Sequence, residues 1–515
     1  MRANSFWQWA ECDPNRAALI TPDEQVLSFG ELGARVNRIS HALRALGMQR
    51  GDHLALLLPN GLEWIEVYMA ATQIGLYVTP INWHLTSVEA AYIVENCDAR
   101  VLVADARYAE IAMQAAQQAG LGEQQCYVAG GEIPGFSPYD NLLVGQPDTP
   151  PEDRSAGTLM LYTGGTTGKP KGVLRPLPEG KPEAVAQLGQ ILFYLFDVKP
   201  GEGVHLCQGP LYHSAPAGFS TGALHMGQTL VLMDKWDAET ALRLIEKYRV
   251  TATHMVPTMF VRLLRLPEET RRRYDLSSLR NAIHAAAPCP VEIKRQMLDW
   301  WGPVIYEYYG ATEGGGTLVK PQEWQSHPGT VGRAWPGIQV KILDDEGHEL
   351  PAGEIGTIYM TAGLGDFEYH KDPDKTRSVK RDGMITAGDL GHLTEDGWLY
   401  ISDRRTDLIL SGGTNIYPAE IEAVLVTHPL VADAAVFGVP DPDWGEAVQA
   451  VIELIPGMPG TDALAEEIRQ FAAQHLARYK LPRYIDFSEQ LPRLPSGKLL
   501  KRRLKEDYAA RFKPS

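Results

Sequence analysis

The sequence predicts an α/β protein of more than one domain. A large N-terminal part holds stacked αβ sheets, a small β-barrel or sheet follows, and a compact α+β part ends the chain. Three observations predict this. At 515 residues the chain is too long for one core, since domains run to roughly 100–200 residues each. The first 150 residues alternate helical and strand patterns, which favours a mainly parallel sheet with helices on its faces. The texture then changes at about Gly329 and again at about Arg404.

The elements follow in order. Ser28-Phe-Gly-Glu31 reads as a capping box opening a helix. Behind it Leu32, Val36, Ile39, Leu43 and Leu46 fall at spacings of 4, 3, 4 and 3, one apolar face, and Gly47 can end the helix. "HLALLLP" (His53–Pro59) is a short continuous apolar run, the mark of a buried strand. A second box, Thr86-Ser-Val-Glu89, precedes another helix and the strand-like "ARVLVAD". The Pro- and Asp-rich stretch from Gln146 to Ser155 reads as a connector. These signals divide the N-terminal part at about 1–150, 151–328 and 329–403. In the last of these, "IQVKILD", "GEIGTIYM" and "GWLYIS" alternate with Gly, Asp and Glu turns, which predicts antiparallel strands. Beyond Arg404 come the strand-like "AAVFGV", the alternating "AVQAVIELI" and a helix near Asp462–Arg478 carrying Leu464, Ile468 and Phe471 on one side.

Composition excludes several classes. A net charge of −16 argues against a nucleic-acid binder with a broad basic surface, but not against a local pocket for a small anion. The five cysteines (Cys12, Cys97, Cys126, Cys207 and Cys289) never form a C-x-x-C pair, so neither a metal cage nor a disulfide framework is expected. No apolar run approaches the ~18–20 residues of a membrane span. The N-terminus lacks the apolar core of a signal peptide. A cytoplasmic location is the expectation.

The chemistry centres on "LYTGGTTGKPKGVLRP" (Leu161–Pro176). Glycines let backbone N–H groups turn toward a ligand and threonine hydroxyls add donors, a combination suited to polyphosphate. It is not a Walker A loop. That motif needs Ser or Thr after the lysine and a glycine five residues before Gly168, whereas Pro170 follows Lys169 and Thr163 occupies the glycine position. Pro170 also blocks a strand–loop–helix exit, so the loop is expected to bridge two strands.

"YTGGTTGKPKG" (Tyr162–Gly172) resembles the phosphate loop of the adenylate-forming superfamily, which includes acyl-CoA synthetases, peptide-synthetase adenylation domains and beetle luciferases. Four further segments resemble the family in its order: "PLYHSAP" (210–216), "YYGATEGG" (308–315), "TAGDLGHLTEDGWLYISDRRTDLILSGGTNIYPAEIE" (386–422) and "LPRLPSGKLLKR" (491–502). The resemblance spans essentially the whole chain. It implies an N-terminal domain at 1–403, a hinge at 404–407, a mobile C-terminal domain at 408–515, and an active site between the domains. The implied reaction has two halves. A carboxylate attacks the α-phosphate of ATP, giving acyl-adenylate and pyrophosphate, and a thiol, usually that of coenzyme A, then displaces AMP.

The resemblance carries over residue by residue. Thr163, Gly164, Gly165, Thr166, Thr167, Gly168 and Lys171 would cradle the β- and γ-phosphates. Glu313 would hold Mg²⁺, a hard cation that prefers carboxylate. Thr312 would bond the α-phosphate, Tyr309 would stack on adenine, and Ala286, Gly310 and Ala311 would line the nucleotide. Asp389 resembles the aspartate that grips both ribose hydroxyls, with Arg404 alongside, and Lys498 resembles the mobile lysine that neutralises charge during adenylation. His213 resembles a gate beside the reacting carboxylate, so Lys498, Glu313, His213 and Thr166 form the expected catalytic set. Thr406 stands at the hinge where relatives usually carry Asp or Lys, which leaves the pivot open between Thr406 and Asp407. Gly412 and Gly413 would let backbone pass the pantetheine arm, and Lys235, Arg478 and Lys480 would meet coenzyme A phosphates.

The acid itself is less constrained. In "HAAAP" (284–288), many relatives have glycine at Ala285 or Ala286, so each added methyl would narrow the channel, while Gly314–Gly316 would open space. The balance favours an apolar acid, either a medium- or long-chain fatty acid or one containing a ring. A homodimer is an open possibility. The competing readings are transfer to a carrier-protein thiol, luciferase-like oxidation of the adenylate, and a non-catalytic nucleotide-binding relative.

Overall fold

A computed structural model describes residues 4–163, 169–363, 365–411, 414–493 and 499–509. The chain packs as two compact units, the first made of Met1–Met255, Pro267–Ile283 and Leu364–Ser378 and the second of the remainder.

The first unit holds two parallel sheets. In one, strands Ser137–Pro138, Cys126–Ala129, Ala99–Asp105, His53–Leu57, Tyr77–Pro80 and Thr158–Leu159 lie side by side in that order. In the other, Ala252–Met255, Val204–Cys207, Thr229–Leu232 and Ala17–Ile20 run parallel, and Val26–Ser28 adds an antiparallel edge. Both capping boxes form as the sequence predicts, at Ser28 for helix Phe29–Ala45 and at Thr86 for helix Ser87–Asn96. Leu32, Val36, Ile39 and Leu43 are fully buried, against Phe6, Phe29 and Trp64. The chain turns out of that helix through Gly47 at φ +79°, a conformation that favours glycine.

Glu66 lies at the centre of this core, fully buried. Arg35 Nε donates to its Oε2 at 2.5 Å and the Tyr139 hydroxyl to its Oε1 at 2.5 Å. A buried carboxylate needs such partners, because desolvation otherwise costs several kcal/mol, in the range of ~3–5.

A three-stranded antiparallel sheet completes the first unit, with Lys171–Leu174 between Leu161–Thr163 and Glu368–Tyr369. Thr163 faces Lys171 across the ladder. The segment expected to bind phosphate therefore lies between two antiparallel strands, as Pro170 predicts.

In the second unit, Ile305–Ala311 and Gly314–Val319 form a hairpin with Arg333–Ala334 beside it. The β-rich segment forms an antiparallel sheet in which Gly356–Thr361 pairs with Val340–Leu343, Met384–Ile385 and Asp389–Leu393, and the last of these pairs with Leu399–Arg404. Toward the C-terminus, Val431–Asp441 and Gly445–Leu454 pair along ten register positions, with Tyr484–Ser488 parallel to the second strand. Helices Pro418–Leu425 and Asp462–Ala473 pack on this sheet through Ile421, Leu425, Leu464 and Ile468. Helix Asp462–Ala473 is shorter than predicted: the His475 and Leu476 amides just beyond it bond back to the Ala472 carbonyl, Ala477 turns extended, and Arg478–Lys480 forms a separate 3₁₀ turn.

Four histidines of the first unit are held neutral by burial. Desolvation pushes His205 and His254 down to about 3, and His53 and His225 down to about 4. His225 Nδ1 accepts the Phe6 amide at 3.1 Å, which requires it unprotonated. The unfolded chain takes up these protons near pH 6.5 and the folded chain does not, so stability is full above about pH 6.5 and falls below it. Each histidine can contribute up to about 1.4 kcal/mol per pH unit over that window. Urea midpoints measured from pH 7.5 to 5 should fall steadily, and His205→Leu should flatten the slope.

Candidate active site

The first unit supplies the two strands that flank the expected phosphate loop. Thr163 ends one and is half-buried, and Lys171 begins the other with its side chain mostly covered. The Lys171 ammonium lies 3.2 Å from Asp372 Oδ2 and 5.8 Å from the centre of the Tyr369 ring. Lys169 lies over the Tyr92 ring at 4.9 Å. His213 sits at the N-terminal cap of helix Ser214–His225, half-buried, its ring 4.6 Å from that of Tyr212. Lys235 is exposed. Gly164, Gly165, Thr166, Thr167 and Gly168 lie outside the described residues, as do Gly412, Gly413 and Lys498.

The second unit brings Tyr309, Asp389 and Arg404 together. Asp389 and Arg404 are register partners in adjacent antiparallel strands. Asp389 is buried. Its Oδ2 accepts the Tyr309 hydroxyl at 2.7 Å and its Oδ1 lies 3.3 Å from Arg404 Nε. Burial first, and then the Asp389 carboxylate, hold the Tyr309 phenol well above its ordinary range, so it stays a donor. The result is a fixed carboxylate with remaining lone pairs that can accept from a diol.

Glu313 is buried at the turn of the 305–319 hairpin, with Thr312 half-buried beside it and Gly310 exposed. One carboxylate suits Mg²⁺, which is usually held by one or two carboxylates plus substrate phosphates. Among the described residues no group of three or more His, Cys, Asp or Glu could form a protein-only cage.

Ala286 adopts φ +75°, a left-handed conformation that is costly for any residue bearing a Cβ. The glycines at 314–316 do not open space. A Cβ at Gly314 would meet the Ala362 carbonyl oxygen at 2.3 Å, one at Gly315 the Met360 side chain at 2.7 Å, and one at Gly316 the Trp335 ring at 2.6 Å. These glycines admit close packing, which corrects the expectation of a wider channel there.

At the expected hinge, Asp407 N–H bonds the Arg404 carbonyl at 3.0 Å and Lys505 Nζ reaches the Thr406 carbonyl at 3.4 Å. Lys480 is paired with both Glu420 oxygens, at 2.6 and 2.7 Å, and Arg478 is exposed.

Sequence reasoning missed two polar groups. One is Asp372. The other lies two residues before Tyr309 on its strand, where Glu307 is buried with Lys294 Nζ 2.5 Å from its Oε2 and His284 Nε2 3.5 Å from the same oxygen. Lys294 is completely buried and also stands 4.7 Å over the Trp324 ring. Burial raises the Glu307 carboxyl, against the pull of Lys294. Lys294 lies on a helix whose other buried positions are apolar, so its sequence pattern gave only a faint signal.

Known proteins match this chain in family and in fold. Residues 6–363 match the family described as AMP-binding enzyme, and residues 420–498 match the AMP-binding enzyme C-terminal domain. The chain belongs to this family of adenylate-forming enzymes. It is 31% identical over 506 residues to fatty acid–acyl-carrier-protein ligase ScoC of Streptomyces coeruleorubidus, covering 97% of this chain and 95% of that protein. It is 32% identical over 499 residues to indoleacetate–CoA ligase of Aromatoleum aromaticum, covering 96% and 95%. ATP-bound MatB of Rhodopseudomonas palustris superimposes with a TM-score of 0.82 at 30% identity, covering 100% of both chains. Among the described residues no helix is long and apolar enough to cross a membrane.

The buried pair at Lys294 makes a direct stability test. Lys294→Met leaves Glu307 buried without its ammonium and should cost about 3–5 kcal/mol by chemical denaturation. Pairing it with Glu307→Leu removes the stranded charge and should restore most of the loss.

Proposed function

We propose that the chain is an ATP-dependent, AMP-forming carboxylic acid–CoA ligase. The acid attacks the α-phosphorus of ATP to give an acyl-adenylate and pyrophosphate, and the coenzyme A thiol then displaces AMP. The observation that carries this reading is the Tyr309–Asp389–Arg404 constellation. It is a buried carboxylate contacted by a phenol and a guanidinium, at a position whose sequence resembles that of the family's ribose-binding aspartate. Thr163 and Lys171, register partners at the ends of the phosphate-loop strands, support it.

The chemistry follows from charge. ATP, the carboxylate and the departing pyrophosphate are all anionic, and preorganised donors and cations are the main stabilisation available. Lys171 and the loop hydroxyls would hold the β- and γ-phosphates. Glu313 would hold Mg²⁺, which when bound neutralises charge on the phosphate oxygens. His213 would stand beside the acid. The C-terminal part from about residue 408 would pivot near 404–407, carrying Lys498 to the phosphates for the first half-reaction and then withdrawing it. Lys480 would exchange its Glu420 partner for a coenzyme A phosphate.

The substrate we favour is an apolar acid, fatty or ring-containing. The likeness to a fatty acid ligase and to an indoleacetate ligase supports both branches. Ala285 and Ala286 add bulk at the chain's expected acid channel. The likeness to ScoC also favours a second acceptor, a carrier-protein thiol.

A panel of aliphatic and aromatic acids, incubated with ATP, Mg²⁺ and either coenzyme A or a phosphopantetheinylated carrier protein, tests the reading. AMP and pyrophosphate should appear with apolar acids, and coenzyme A should be the better acceptor. Formation of ADP and orthophosphate would overturn it. Lys498→Ala should slow adenylation by roughly 10²–10³ while leaving thioester formation from supplied acyl-adenylate largely intact. Equal loss in both steps would remove the assigned role.

A further inference from the structure

Lys171 already has an anionic partner within its own unit. Asp372 Oδ2 lies 3.2 Å from the ammonium. This carboxylate is held stiffly. Asp372 immediately precedes helix Pro373–Val379, and its Oδ1 accepts the Lys375 N–H at 3.0 Å. The Thr376 hydroxyl donates to the Asp372 carbonyl at 2.9 Å and accepts the Tyr369 N–H at 2.9 Å. Tyr369 is a register partner of Val173, and the His370 N–H bonds the Gly172 carbonyl at 2.8 Å. Lys371 ties the same turn to Asp98 at 2.7 Å. The carboxylate is thus tethered by its cap to Lys375 and by the bonded turn beneath it, whereas Lys171 is a flexible four-carbon stem ending in a point charge.

We propose that Asp372 is a positioning residue that competes with pyrophosphate for Lys171, and so promotes pyrophosphate departure between the two half-reactions. This rests on the ligase reading above. One ammonium serves two anions. When the β- and γ-phosphates hold Lys171, the fixed carboxylate stands close to them as a like charge, and when Lys171 returns to Asp372 the pyrophosphate loses a cation. Binding of anything that carries β- and γ-phosphates is weakened by this competition. Binding of AMP, which lacks them, is not.

Asp372→Asn separates the charge from the scaffold, because asparagine caps a helix as well as aspartate does. The probes are Mg²⁺-pyrophosphate and AMP, titrated onto the full chain by calorimetry, together with pyrophosphate inhibition of acid-dependent AMP formation. Asp372→Asn should bind Mg²⁺-pyrophosphate about twofold to tenfold more tightly, with a matching fall in the pyrophosphate inhibition constant and in the KM for ATP, and AMP affinity should be unchanged. Asp372→Ser, which also keeps a capping oxygen, should behave alike. Asp374→Asn removes a neighbouring charge that pairs with Arg377 at the surface, and should change none of these. Pyrophosphate affinity that is unchanged or weaker in Asp372→Asn, or a shift of equal size for AMP, would overturn the proposal. If the wild-type chain forms AMP and the variant shows no tightening, only this inference falls. If no acid yields AMP, the ligase reading falls with it.

Discussion

Antiparallel register is the constraint on which the candidate site depends. Thr163 faces Lys171, and Asp389 faces Arg404, each pair across one ladder within its own unit. Tyr309 is likewise locked opposite Thr317 in its hairpin. Backbone hydrogen bonds fix these separations without relying on the side chains themselves. A slip of one residue would turn each side chain to the opposite face of its sheet. Chemistry that needs donors and charges placed to within a fraction of an ångström is better carried on such ladders than on free loops, because the pairing tolerates no gradual drift.

Charge sets the second requirement. A chain of net charge −16 that handles anionic molecules must keep its candidate binding cations in place against its own field. Lys171, Lys480 and Arg404 each meet a carboxylate, from Asp372, Glu420 and Asp389 respectively. Pairing of this kind restrains long side chains, and under the proposed function a phosphate that reaches Lys171 or Lys480 exchanges one anion for another instead of meeting a bare ammonium. The net gain on binding is the difference between two ion pairs, which makes release as accessible as capture.

Much of this was legible in the sequence, for reasons that can be named. Capping boxes at Ser28 and Thr86 are local, since their partners lie three residues away, and both form as written. The failed Walker spacing and Pro170 sufficed to place the loop between two strands. Asp372 and the Lys294–Glu307 pair were not legible, because each matters only through a contact distant in sequence, and a charged residue in an amphipathic pattern looks the same whether it faces water or a buried partner. Gly314–Gly316 misled for a related reason. A missing side chain signals either open space or a close neighbour, and only the positions of Met360 and Trp335 decide between them.

Ala286 illustrates how local strain and function meet. At φ +75° an alanine bears a cost that glycine would avoid, and a strained residue persists only where its surroundings hold it. The supports are close at hand. Ala285 is buried, and His284 ends the strand before it with its Nε2 near the Glu307 carboxylate. Glu307 in turn lies on the strand that carries Tyr309. The buried ion pair thus lies both on the strand of Tyr309 and 3.5 Å from His284, two residues before Ala286. A change in packing at Lys294 or Glu307 would therefore act on the strand that carries Tyr309 and on His284, two residues before Ala286, within the second unit.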